Sequence, residues 1–317
     1  MHSHHSHSGD YVAHAKDKLE DIVQRALDRG FTHFCLTEHM PRLQNRFIYP
    51  EEAELKYDID TLAEIFDKYY NHAINLRNKY NTSLLMKVLV GFEVEGIDDL
   101  HIEYALKLIN QYNLDMTIGS VHFVNLIPID FDQDLWYKAR DSLSPATTRN
   151  LYVEYFELQY KVICSLKPSV IGHFDLIRLF EPSDELDPTT GKLLRDIHVE
   201  SDWPDVWELA LRNIKYVVSY GGLFELNSAA IRKGWSSPYP KSDFATLIHQ
   251  SGGKFCFSDD CHSIDQVGLN YHKVLDYIHT LGLTSIYFLD LDDSNLTFVN
   301  SIPVSQVASS PFWNQYK

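Results

Sequence analysis

The feature that most constrains this chain is an alternation running almost from end to end, in which an amphipathic helical stretch is followed by a short β-rich run. The first unit shows the pattern. In DKLEDIVQRALDR, residues 17–29, Leu19, Ile22, Val23, Ala26 and Leu27 recur at helical spacing on one face, and Gly30 follows as a stop signal. FTHFCLTEH then reads as a strand ending at Glu38 and His39. The spacing predicts further helices over 51–80, 99–111, 145–166, 203–220, 242–250 and 264–281. The runs after them, LLMKVLVGFEVE, DMTIGSVH, PSVIGHFD, GGLFELN, GGKFCFSDDCH and TSIYFLDL, read as strands. About seven strands spaced by helices predict a mostly parallel sheet buried under helices, because each parallel connection needs a crossover and a helix supplies it.

Nothing breaks this alternation. There is no Pro/Ser-rich linker or shift in composition, so one domain over residues 1–317 is expected. In that length range a closed or nearly closed α/β barrel is the economical form. An open doubly wound sheet is the alternative, but no GxGxxG or GxxxxGK[ST] turn supports a dinucleotide or P-loop reading. Two stretches, 128–148 and 181–202, lack a clear period and predict loops decorating one rim.

Charge and composition then narrow the function. With 28 Lys+Arg against 44 Asp+Glu the net charge is −16, which argues against partners that demand a basic surface: no nucleic acid and no anionic membrane. No apolar run approaches the ~18 residues of a membrane span, and the polar start predicts no secretory leader. Cys35, Cys164, Cys256 and Cys261 form no CxxC pair, which predicts reduced thiols and a cytoplasmic location. The sequence carries no signal for an oligomeric state.

The informative histidines and acids stand at strand ends. His39 ends one strand, Glu93 and Glu95 the next, then His122, then His173 and Asp175, then Asp259, Asp260 and His262. Parallel strands put these ends on one face, where barrel active sites are built. A single histidine at a strand end is ordinarily a satisfied polar residue, but five ends agreeing argue for one cluster. The N-terminus adds His2, His4, His5 and His7, with His14 a little later. In an extended segment, residues two apart point to the same side, so His5 with His7 forms one pair and His2 with His4 the other. Either register can supply two ligands. The acids at 184–187 and 290–293 lack EF-hand spacing and read as solvated loops. Imidazole and carboxylate without thiolate suit a catalytic site for zinc, iron or manganese, and the set is too large for one ion. Two or three adjacent divalent ions would acidify a shared water and clamp the oxygens of a phosphoryl group.

In this order the motifs (HxH, TEH, GFE, GSVH, GHFD and a closing DxH) resemble the PHP (polymerase and histidinol phosphatase) superfamily. LTEHMPR, GSVHFVNLIPIDFD, VIGHFDLIRLF, FELNSAAIRKGWSSPYP and FSDDCHSIDQVG resemble its histidinol-phosphate phosphatases, and these matches span residues 2 to about 270. The resemblance implies a distorted (β/α)7 barrel with a trinuclear metal site at the C-terminal ends of its strands. By motif, His5, His7, Glu93 and Asp260 would hold a first ion. Glu93 would bridge to a second with His122 and His173, and His14, His39 and His262 would hold a third. Glu93, Asp260 and His122 carry the catalytic roles by the same resemblance, and Arg178 and Arg232 the substrate phosphate. Glu95 would orient a ligand histidine, and either it or Asp175 would meet the substrate's ammonium. The implied reaction is hydrolysis of L-histidinol phosphate in L-histidine biosynthesis. The alternatives are another small phosphate ester, such as a nucleotide, or a non-catalytic metal-binding module. The departure from the pattern lies at Ser3, where many relatives carry aspartate.

Overall fold

Each apolar run becomes a short strand, and most amphipathic stretches become helices covering it. The computed structural model describes residues 1–83 and 85–316; Leu84, which opens the LLMKVLVGFEVE run, and Lys317, the end of the expected domain, lie outside them. Strands β1 (His2–Ser3), β2 (His33–Leu36) and β3 (Lys87–Val90) form one parallel sheet in that order. Strands β4 (Ile118–Gly119), β5 (Val170–Ile171), β6 (Leu223–Asn227) and β7 (Lys254–Ser258) form a second parallel sheet. The sheets meet on both sides. Glu93 bridges in parallel to His39 and to Ile118, and Ser6 bridges in parallel to Cys261.

The strands are buried on both faces, which is why they read as apolar runs instead of alternating ones. Phe34, Leu36, Val88 and Val90 face the large core beneath the helices. Cys35, Leu89, Ile118, Val170, Leu223 and Cys256, one from each of six strands, gather in a second apolar layer. The covering helices are α1 (Leu19–Asp28), α2 (Ile59–Ser83), α3 (Asp99–Gln111), α4 (Gln133–Asp141), α5 (Thr148–Leu166), α6 (Pro204–Tyr220), α7 (Ser242–Gln250) and α8 (Tyr271–Thr280).

The structure departs from the expected pattern at several places. TSIYFLDL does not join a parallel sheet: β8 (Ser285–Leu291) pairs antiparallel with β9 (Thr297–Pro303). The link between them is too short for a crossover, and Asp292 organises it by accepting hydrogen bonds from the amides of Ser294 and Leu296. The N-terminal β1 is the seventh parallel strand instead. The stretch 128–148 is not all loop, since α4 lies within it. Asp132 caps that helix through Leu135 N at 2.7 Å, and Trp136 and Ala139 are its buried residues. The helix expected over 51–80 is two, Pro50–Glu54 and α2, separated by Lys56 at φ 62°. The stretch 264–281 likewise begins as a 3-10 turn, Ile264–Gln266, and restarts as α8 after Asn270 at φ 64°. The acids at 290–293 are not all solvated, because Asp290 is buried against Lys87 and His33. All four cysteines are free. Among the described residues no helix is long and apolar enough to cross a membrane.

Candidate metal centre

The backbone brings the strand ends to one edge, and the bridges between the sheets place their residues in register. Glu93 N donates to Glu38 O at 3.0 Å, setting Glu93, just past the end of β3, beside His39. Asp260 N donates to His5 O at 3.1 Å and His7 N to Cys261 O at 2.8 Å, so the N-terminal run is threaded along the end of β7. After β4, His122 O accepts from Ile129 N at 3.0 Å and closes a small hairpin. The turn of that hairpin is made by Asn125 and Leu126, both at positive φ.

Glu93 is the hub of the side chains. Its Oε2 lies 3.2 Å from His5 Nε2, 3.3 Å from His7 Nε2 and 3.0 Å from His39 Nδ1. Its Oε1 lies 3.3 Å from His122 Nε2 and 3.0 Å from His173 Nε2. Asp260 Oδ1 stands 3.8, 3.5 and 3.7 Å from His5 Nε2, His7 Nε2 and His262 Nδ1. Ligand-capable atoms converge in three groups: His5, His7 and Asp260; Glu93, His122 and His173; and His7, His39 and His262. The His14 ring stacks on His262 at 4.9 Å between centroids, beside the third group. Asp260 itself sits at φ 48°, a left-handed conformation that costs a non-glycine residue energy and is found where a site demands it.

Between the two N-terminal registers, the structure brings His5 and His7 to the cluster. His2 and His4 point elsewhere: His2 Nε2 accepts from Phe257 N at 3.0 Å, and His4 Nε2 from Leu289 N at 2.8 Å. Those two histidines pin β1 to β7 and β8.

Buried nitrogens without partners show what the cluster is built to hold. His5 Nε2, both ring nitrogens of His7, and His39 Nδ1 are sealed from solvent yet make no hydrogen bond, although carboxylates stand nearby. Leaving such a group unsatisfied costs ~1–3 kcal/mol, and three of them, His5 Nε2, His7 Nε2 and His39 Nδ1, converging within 3.3 Å of Glu93 Oε2 argue for an electrophile there. A divalent cation accepts those lone pairs, and the all-nitrogen and oxygen donor set fits zinc, iron or manganese. Electrostatics agree. Burial opposes charge on His5, His7 and His122, yet Glu93 and Asp260 or Glu95 hold His5 and His122 well above the usual imidazole range. The nearby carboxylates of Asp260, Glu38 and Glu93 likewise raise His7 to about 10. The same imidazoles, working against burial, keep Glu93 and Asp260 well below the carboxylate range. Burial and neighbouring histidines lower His14 to about 3 and His262 well below its usual value, so both are neutral donors.

A cavity of about 410 Å³ opens over the cluster. Beyond the histidines, Glu93 and Asp260, it is lined by Arg232 and Lys233, by Tyr49, Glu51, Asp130 and Phe131, and by Gln266. Arg232 Nη2 donates to Asp260 O at 3.1 Å. Arg178 is not brought to the cavity. Both its terminal nitrogens bind Asp243 at 2.7 Å, its guanidinium lies 4.3 Å from the Phe244 ring centroid, and it is buried. Nor does Asp175 line the cavity, being fully buried and accepting from Lys241 N at 2.9 Å. Glu95 contacts His122 Nδ1 at 3.0 Å, His39 Nδ1 at 3.2 Å and Arg42 Nη1 at 3.1 Å, behind the ligand-type histidines.

Sequence reasoning missed two further acids. Glu38 accepts from Ser8 N at 2.9 Å and lies 3.5 Å from His7 Nδ1. Glu225 lies 3.1 Å from His5 Nδ1 and accepts from His173 N at 2.6 Å. The available signal for Glu225 was a lone acid inside the apolar run LFEL, a placement tolerated only where the charge is satisfied.

Residues 3–229 match the PHP domain family. The chain is 40% identical to the histidinol-phosphatase of Saccharomyces cerevisiae, over 99% of both chains. It is 42% identical to the probable histidinol-phosphatase of Schizosaccharomyces pombe, over 97% of this chain and 95% of that one. The fold resembles the crystal structure of histidinol phosphate phosphatase from Lactococcus lactis subsp. lactis complexed with Zn, L-histidinol and phosphate. That likeness has a TM-score of 0.63 at 17% identity and covers 90% of this chain and 95% of that one. With the family matching most of its length and a relative this similar from end to end, the chain belongs to the PHP family, in the branch of the histidinol-phosphatases.

Proposed function

We propose that the protein is a phosphoric monoester hydrolase that converts L-histidinol phosphate and water to L-histidinol and inorganic phosphate, serving L-histidine biosynthesis. The observation that carries this is a single carboxylate, Glu93, with five imidazole nitrogens within 3.3 Å, facing a cavity that Arg232 also lines. The relatives' shared name supplies the substrate. The apolar layer with one side chain from each of six strands, and the parallel bridges at Glu93 and Ser6, support closure of the two sheets into one distorted (β/α)7 barrel over the whole chain. Four free thiols support a cytoplasmic setting.

In this reading His5, His7, Glu93 and Asp260 would hold one divalent ion. Glu93, His122 and His173 would hold a second, and His14, His39 and His262 a third. Bound there, zinc, iron or manganese supplies Lewis acidity to the phosphoryl oxygens and acidifies the attacking water. The chain's own groups do the rest. Arg232, anchored by one nitrogen to the Asp260 carbonyl, offers its remaining N–H groups to the phosphate oxygens in the fork geometry that suits them. The carboxylates of Glu51 and Asp130 line the same cavity with no hydrogen-bond or ion-pair partner among the described residues. They would meet the cationic amino-imidazole end of the substrate, with Phe131 offering an apolar face. Arg178, neutralised by Asp243, buttresses the segment after β5 and does not take the phosphate. A nucleotide, which is anionic at one end and uncharged at the other, gains nothing from Glu51 and Asp130.

The test is phosphate release from L-histidinol phosphate by the protein as isolated, after chelation, and after anaerobic return of Zn²⁺, Mn²⁺ or Fe²⁺. Fast release that chelation abolishes and a metal restores is expected, as is loss of several orders of magnitude in a folded His122→Ala variant. Metal-loaded protein that turns over a nucleotide but leaves histidinol phosphate untouched would overturn the substrate assignment.

A further inference from the structure

Glu225 is an acid in an otherwise apolar strand. All five residues of β6 are buried, and a carboxylate there is tolerable only if donors surround it. Three do. His173 N and Asn227 Nδ2 donate to Oε1 at 2.6 and 2.8 Å, and His5 Nδ1 lies 3.1 Å from Oε2. A carboxylate only accepts, so the hydrogen between Glu225 and His5 sits on Nδ1. The lone pair His5 can give to an ion is therefore on Nε2. That atom is the one sealed from solvent without a hydrogen-bond partner, 3.2 Å from Glu93 and 3.8 Å from Asp260. The carboxylate that fixes His5 in the first ligand group also holds the backbone of His173 in the second.

We infer that Glu225 is a positioning residue that sets the His5 tautomer, turning Nε2 toward the ion and coupling the two ligand groups through the His173 amide. This rests on the metal-centre reading above but not on the substrate. The discriminating change is Glu225→Gln, which keeps size and strand packing but replaces one acceptor oxygen with an NH₂. His173 N and Asn227 Nδ2 are donors, so the amide oxygen turns to them and the NH₂ faces His5 Nδ1. His5 must then accept at Nδ1 and carry its hydrogen on Nε2, where the ion has to sit. The reverse rotamer leaves the buried His173 amide facing a second donor, which costs the link to the other group.

The experiment uses the full chain loaded with Zn²⁺ alone. Chelator competition on Glu225→Gln is expected to show one ion per chain held 10–100-fold more weakly, the range typical for losing such a support, with the others little changed. Glu225→Asp, still acceptor-only, should recover part of that loss. ¹⁵N NMR of histidine-labelled, zinc-loaded wild type should place the His5 hydrogen on Nδ1. That measurement stands even if the glutamine variant fails to fold. Unchanged zinc affinity in folded Glu225→Gln, equal weakening of every ion, or a wild-type His5 with its hydrogen on Nε2 would overturn the inference. If wild type binds zinc with this tautomer yet does not hydrolyse histidinol phosphate, only the proposed substrate falls.

Discussion

At the scale of single residues, the site divides its acids by what they have left to bind. Glu93, Asp260, Glu95, Glu38 and Glu225 are all engaged with imidazoles. Glu51 and Asp130 are not, and one oxygen of Glu51 is sealed from solvent with no partner. A carboxylate held unpaired beside a cavity gains most from a cationic ligand that excludes water. If these two meet the substrate's amino-imidazole end, Glu51→Gln and Asp130→Asn should each raise KM for histidinol phosphate about 5–50-fold, the loss of one charge-assisted hydrogen bond. Turnover of p-nitrophenyl phosphate, which has no cation to offer, should stay within about twofold. Parallel losses on both substrates would show instead that the acids support the metal cluster.

At the scale of elements, the hairpin β8–β9 shows how a segment that reads as one more barrel strand takes a structural role. Leu289 and Leu291 enter the apolar layer of the parallel strands, and Leu289 N is held by His4 Nε2. Asp290 between them binds Lys87 Nζ at 2.5 Å and lies 3.1 Å from His33 Nε2. Burial opposes its charge, but hydrogen bonds from Lys87 and Asn300 lower its pKa to about 2. A carboxylate depressed on folding stabilises the protein above its unfolded value and loses that contribution as pH falls toward the folded one. Asp290→Asn should therefore cost about 1–2 kcal/mol in urea unfolding at neutral pH, allowing for the exposure of Lys87. The gap to wild type should narrow from about pH 5 to about pH 3. A gap constant over that range would mean that shape, and not charge, holds the hairpin. Elements like this one mark what the sequence leaves illegible. Helices with a full amphipathic face and a capping acid, such as α3 with Asp98 at its start, read directly from local spacing. The antiparallel turn of β8, the break at Lys56 and the short α4 depend on links, backbone angles and packing that no local period encodes. Glu93, His39, His122, His173 and His262 were legible for the opposite reason, because each stands at the end of an apolar run. Glu225 was hidden by sitting inside one, and the pairing of Arg178 with Asp243 was hidden because the two lie 65 residues apart in sequence.

At the scale of the whole molecule, the centre draws ligand-type residues from the ends of five parallel strands and from the N-terminal run, so an ion there is also a structural tie. The run carrying His5 and His7 is held to the end of β7 by few backbone bonds, among them Asp260 N to His5 O and His7 N to Cys261 O. An ion on His5, His7 and Asp260 would clamp the same two segments through their side chains. Binding that favours the folded state stabilises it by about 2.7 kcal/mol at a free ion concentration one hundred times Kd. Chelation should thus lower Tm, and returning zinc should raise it with the logarithm of concentration. The location of the effect is the sharper test. On metal removal, hydrogen exchange at the His7 and Asp260 amides should quicken by at least about tenfold, the equivalent of ~1.4 kcal/mol of local stability. Amides within β6, which is paired on both sides and over five residues with β7, should hardly change. Exchange that rises evenly across both sheets would describe a metal that stabilises the fold as a whole. Exchange confined to the N-terminal run would show that the ions lock the first ligands of the site in place.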